Sequence, residues 1–289
     1  LVSRATNPRQ RIAAVGWSLG FVLVGYLLVT GAVVGLSAGL APVAPRLLEG
    51  PVGPALLQAA IGIAIFAPLT WLIGRRRLGL SLAELGWAPA GVGLVGFRRG
   101  LVVAAGIAAA ALLAGVPAES GWGGDGGSPG GYLARVAALA ALLLPAALFE
   151  ELAFRGLLVV GLSRGLGPAL GVGISAALFA LAHRFNPGIG PLAFGNIALA
   201  GVFLGATFLS RGGLWTATGA HLGWNLTLAG LGAPVSGLPF EVPWIDFHPG
   251  EPVWLTGGPF GPEGGLLATG ALIVGTVLVI RWPEFREAR

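Results

Sequence analysis

Tyr132–Leu162 reads YLARVAALAALLLPAALFEELAFRGLLVVGL. The run is apolar almost throughout, yet its second half carries Glu150, Glu151 and Arg155. A bilayer crossing needs about 20 such residues, so this stretch is long enough to span. Charges at the centre of a span cost roughly 2.5–3.5 kcal/mol each on insertion scales, which makes an intramembrane carboxylate a functional candidate by default.

The surrounding chain has the same character. Of 289 residues, 55% are hydrophobic and 10% charged, and the mean hydropathy is +0.84. Soluble domains carry about 25% charged residues, so the composition places this chain in a membrane. Apolar runs recur from end to end, which predicts one all-α, polytopic bundle enclosing a buried polar cavity. Cysteine is absent, which excludes disulfides, thiol catalysis and cysteine-based zinc sites. The net charge of +5 comes from 17 basic residues, all Arg. They cluster in short loops between apolar runs, a membrane-orientation pattern and not a nucleic-acid footprint. The first apolar run is too long for a signal-peptide core and lacks a small-residue cleavage site.

About eight spans are expected: 12–40, 54–73, 101–116, 132–162, 169–183, 191–209, 214–229 and 266–280. Leu78–Trp87 has the pattern of a short helix along the interface, with a plain connecting loop as the alternative. Arg98 and Arg99 open the third span. The 117–131 loop is Gly-rich, and 231–263 is rich in Pro, Gly and aromatics and is expected to fold over one mouth of the bundle. The chain divides into N-terminal helices with the interfacial segment (1–131), a core that holds the intramembrane charges (132–230) and an extracytoplasmic loop with a last helix (231–289). With the N-terminus inside, Arg4, Arg9, Arg11, Arg75, Arg76, Arg77, Arg98, Arg99, Arg164, Arg211, Arg281, Arg286 and Arg289 face the cytoplasm. Arg46, Arg135 and Arg184 face outward, and Arg155 lies within a span. That thirteen-to-three bias puts both termini in the cytoplasm. No internal repeat is visible, which argues against a transporter.

Polar residues inside the spans form the candidate site. Glu151 and Arg155 are four apart and can pair, leaving Glu150 roughly 100° round the helix without that partner. His221 and Asn225 share a face of the seventh span. At ~1.5 Å per residue, Glu150, His183, His221 and Asn225 all fall near mid-membrane. Such a set suits amide hydrolysis. Glu150 can take a proton from water beside a histidine, while a second histidine and Asn225 donate to the oxyanion. Alternatively Glu150, His183 and His221 could hold a zinc ion that acidifies the water. No HExxH motif is present. Read blandly, His183 is an interfacial residue, Asn225 is interhelical glue and Glu151–Arg155 is a structural pair; His248 is incidental.

Glu150-Glu151-x-x-x-Arg155, Phe179-x-x-x-His183 and His221-x-x-x-Asn225 together resemble the three motifs of the CAAX-protease and bacteriocin-processing family, in order, spacing and placement on successive helices. The resemblance covers Leu133–Ala229. It implies an intramembrane endopeptidase whose cavity opens toward cytoplasm and lipid. Glu150 and His183 would activate the water, His221 and Asn225 would form the oxyanion pocket, and Glu151 and Arg155 would support Glu150. The implied partners are the lipid bilayer and a membrane-associated, possibly prenylated CAAX-like, protein or peptide; no nucleic acid is implied. Arg-only, Ala- and Gly-rich composition fits the cytoplasmic membrane of a prokaryote, where a non-catalytic immunity or scaffold role is the competing reading. A proton-coupled transporter using Glu150 is the third.

Overall fold

A computed structural model describes residues 7–50, 52–124 and 126–285. Arg4, Arg286 and Arg289 of the basic flanks, and Asp125 of the Gly-rich loop, lie outside the described residues. The architecture is helical throughout. The main elements are α1 (Pro8–Leu40), α2 (Val52–Leu69, prolonged by a π-helical stretch Thr70–Arg77), α3 (Ala90–Ala114), α4 (Pro129–Phe154) and α5 (Gly156–Leu166). They continue as α6 (Pro168–Ala182), α7 (Pro191–Phe208), α8 (Leu214–Gly230), a single turn α9 (Val253–Thr256) and α10 (Leu266–Arg281).

Among the described residues, five stretches are long and apolar enough to cross a membrane: Pro8–Leu40, Val52–Arg77, Ala90–Ala118, Pro129–Leu166 and Pro191–Phe208. Pro168–Ala182 and Leu266–Arg281 are apolar but shorter. At ~1.5 Å per residue α6 is about 22 Å long, shorter than a 30 Å hydrocarbon layer.

Two expectations need correction and one is refined. The fourth span runs as one stretch, Pro129–Leu166, but is interrupted at Arg155, whose φ/ψ of −106°/−70° is a distorted right-handed helical conformation separating α4 from α5. Ser175 Oγ on α6 donates to the Phe154 carbonyl at 2.5 Å, so the acceptor next to the break stays satisfied. Residues 78–87 form turns and no interfacial helix. Ser81 and Glu84 do cap each other reciprocally, Ser81 N and Oγ each donating to Glu84 Oε2 at 2.8 Å. Gly79 and Gly86, at φ +63° and +86°, then turn the chain away. Finally, α3 starts at Ala90, so Arg98 and Arg99 lie within it and do not open it.

Tight packing centres on α3 against α8. A Cβ on Gly100 would strike the Thr216 carbonyl, and one on Gly219 the Phe97 carbonyl, so only glycine permits this approach. An aromatic cluster of Phe21, Tyr26, Phe66, Phe149 and Phe154 ties α1 and α2 to α4.

The 231–265 segment covers one end of the bundle, as expected. It carries β2 (Asp246–His248), antiparallel to β1 (Gly121–Gly123) with Trp122 opposite Phe247. Arg135 Nε donates to the Glu241 carbonyl at 2.9 Å, and Asn186 Nδ2 to the Ser236 carbonyl at 2.9 Å.

Candidate functional site

α4 delivers Glu150 and Glu151 in its last turns before the break, about 100° apart. α6 supplies His183 as its C-cap, and α8 supplies His221 with Asn225 one turn further on. Glu150, His183, His221 and Asn225 line one cavity of about 340 Å³.

Glu151 faces the packed interior and is wholly buried, as is Arg155. Its Oε1 accepts from His221 Nδ1 at 2.9 Å. Its Oε2 stands 3.1 Å from Arg155 Nε. None of the three Arg155 nitrogens completes a hydrogen bond, so the contact is ionic, with the guanidinium lying 4.6 Å over the Phe179 ring. Glu151 thus joins Arg155 to His221, whereas the resemblance implied support of Glu150.

Glu150 is different. Its Oε2 has no hydrogen-bond partner and lies 3.7 Å from both His183 Nε2 and His221 Nε2. The tautomers follow from the other ring nitrogens. His183 Nδ1 sits 2.8 Å from the Phe179 carbonyl, which can only accept, so Nδ1 carries the proton. His221 Nδ1 likewise donates to Glu151. In neutral imidazoles both Nε2 atoms then present lone pairs. Three acceptors facing one point at 3.7 Å need a proton donor between them, and a water molecule supplies two protons.

A zinc ion is the other species that three such lone pairs could address. Among the described residues, however, no group of three or more His, Cys, Asp or Glu is arranged to hold a metal ion.

Sequence reasoning missed several cavity residues. Glu263, in the segment expected to fold over one mouth of the bundle, is buried against the cavity. It accepts from Trp224 Nε1 at 3.0 Å and from Ser236 N and Oγ. Burial pushes its carboxyl above the usual range, against the pull of the Ser236 and Trp224 donors and of His183. Tyr26 of α1 and Asn186, after α6, also line the cavity. The signals were weak: one tyrosine in an apolar span, and one carboxylate three residues before a helix.

Residues 132–227 match the model of the type II CAAX prenyl endopeptidase Rce1-like family. The similarity to the CAAX-protease family thus covers 96 of the chain's 289 residues. No curated protein and no solved structure matches the chain. The matched segment contains Glu150, Glu151, Arg155, His183, His221 and Asn225, and leaves out Tyr26 and Glu263. Proteins of this family are intramembrane proteases. With its membrane-length helices, the chain is an integral membrane protein.

Proposed function

We propose that the protein is an intramembrane endopeptidase in which Glu150 and His183 activate water and His221 and Asn225 hold the oxyanion. The observation that carries this reading is the unpartnered Glu150 Oε2 facing two imidazole Nε2 atoms at 3.7 Å inside a cavity. Glu150 takes one proton from the water, and His183 Nε2 accepts the other in a hydrogen bond that aims the oxygen. The hydroxide adds to the scissile carbonyl carbon, and the C=O electron pair moves to oxygen. Asn225 Nδ2–H donates to that oxyanion. His221 donates through Nε2 only as imidazolium, because Nδ1–H is already committed to Glu151. Glu151 lies against that charge, and Arg155 Nε, 3.1 Å from Glu151 Oε2, holds Glu151 in place. Collapse of the intermediate breaks the C–N bond, and Glu150 returns its proton to the departing amine. The second water proton, hydrogen-bonded to His183 Nε2, passes through that nitrogen to the amine, so the products are a carboxylate and an ammonium.

The substrate is a membrane-associated protein or peptide. The cavity's apolar lining, with Leu142, Leu143, Ile197, Phe203 and Leu272 among it, suits an apolar segment. The test uses purified protein and a membrane-anchored reporter peptide. Glu150→Ala and His183→Ala should each abolish cleavage while the protein inserts and melts like the parent. Undiminished cleavage by Glu150→Ala would sink the mechanism.

A further inference from the structure

The cavity occupies only one half of the bundle. On α8 its lining runs from His221 to Trp224 and Asn225, away from the N-terminus of that helix. On α4 it runs from Glu150 back toward Leu142, and beyond α6 it reaches Asn186. Its far wall is Val235, Ser236, Leu238 and Phe240 of the covering segment. Past Glu150 in the other direction, residues 151–163 are buried without a gap. The site therefore opens at the end of the bundle that holds the 231–265 segment.

That end lies opposite the chain termini. The start of α1, the end of the Thr70–Arg77 stretch, the start of α3, the α5–α6 and α7–α8 turns and the end of α10 gather at the other end. Arg99 Nη1 donates to the Glu284 carbonyl at 2.7 Å, and Arg211 N to the Phe285 carbonyl at 3.0 Å. Leu214 N donates to the Gly86 carbonyl at 2.9 Å. Thirteen of the 17 arginines belong to this terminal end by sequence. The cavity end has Arg46, Arg135 and Arg184, and residues 231–265 contain no Arg or Lys. Arginines in short loops flanking spans mark the cytoplasmic side.

We infer that the cavity is entered from the extracytoplasmic face, and that the substrate is an apolar, membrane-anchored segment already carried across the membrane, not a cytoplasmic tail. This departs from the cytoplasmic opening that the family resemblance implied, and its substrate half rests on the peptidase reading above. Leu238 and Phe185, both exposed, stand at this end, so a peptide arriving along the outer leaflet meets them before the Glu150 layer.

The cysteine-free chain makes orientation directly measurable. Phe185→Cys, Leu238→Cys and Leu82→Cys each place one thiol at an exposed position, the last on the terminal end. In intact bacterial cells a membrane-impermeant maleimide should label the first two, and label Leu82→Cys only after lysis. The reverse pattern overturns the inference. A reporter peptide is then fused to an anchor helix on its extracytoplasmic or its cytoplasmic side. The exported form should be cleaved, and Glu150→Ala should leave it intact. Glu150-dependent cleavage of the cytoplasmic form alone also overturns the inference. If Glu150→Ala cleaves the exported form as well as the parent does, the peptidase mechanism falls, while the labelling still decides the orientation.

Discussion

Two neighbouring carboxylates divide the bundle into a hollow half and a sealed half. Glu150 has a quarter of its side chain exposed and one oxygen without a partner. Glu151 has none exposed and is engaged by His221 and Arg155. A rotation of about 100° along one helix separates the two environments. Sealed charges have to be paired, because breaking a buried pair leaves an uncompensated ion. A carboxylate at the edge of a cavity can stay unpaired and reactive. In the proposed mechanism the sealed half fixes geometry and the hollow half performs chemistry, and substitutions can separate the two roles.

The largest effect is expected at Glu150. Replacing it with Ala or Gln should lower kcat by about 10²–10⁴-fold, the range for loss of a general base, with melting unchanged. A fall in melting temperature matching that at Glu151 would erase the distinction between the halves. Next comes Arg155→Ala. It strands Glu151 in a dry interior and should cost roughly 3–5 kcal/mol, read by thermal unfolding in detergent. A smaller loss would mean that water reaches the break between α4 and α5. Asn225→Ala, on the hollow side, should reduce kcat by about 10²–10³-fold, as for removal of an oxyanion donor, with little change in KM or stability. A rise in KM alone would reassign Asn225 to substrate binding.

Much of this division could be read before any coordinates. The apolar runs give the helices, and i,i+4 spacing pairs Glu151 with Arg155 and places His221 beside Asn225. The helix break at Arg155 was hidden, because its compensating donor, Ser175 Oγ, comes from another helix. The 78–87 segment misled because Ser81 and Glu84 do form the capping pair of a helix start. Two left-handed glycines then redirect the chain. That Glu151 serves His221, 70 residues away, is a tertiary fact that no local pattern encodes. Glu263 was harder still, since its donors Trp224 and Ser236 are 39 and 27 residues distant.

The smallest effect concerns that last carboxylate, which clasps the covering segment over the hollow half. Burial raises its pKa from the ordinary value of 4.5, and the Ser236 and Trp224 donors only partly oppose this. The folded chain therefore holds a proton that the unfolded chain has already released. The stabilisation is fully present below the ordinary carboxylate pKa and is lost as pH rises through the raised value. Cleavage of the 231–265 segment by an added protease should accelerate as pH rises through that window. Glu263→Gln should flatten the pH dependence at a cost of about 1 kcal/mol for an imperfectly replaced hydrogen bond. Should the clasp instead tighten with rising pH, Glu263 acts as an ionised acceptor for Trp224 and Ser236. Charge would then hold the cover over the hollow half, as it holds Glu151 and Arg155 in the sealed one.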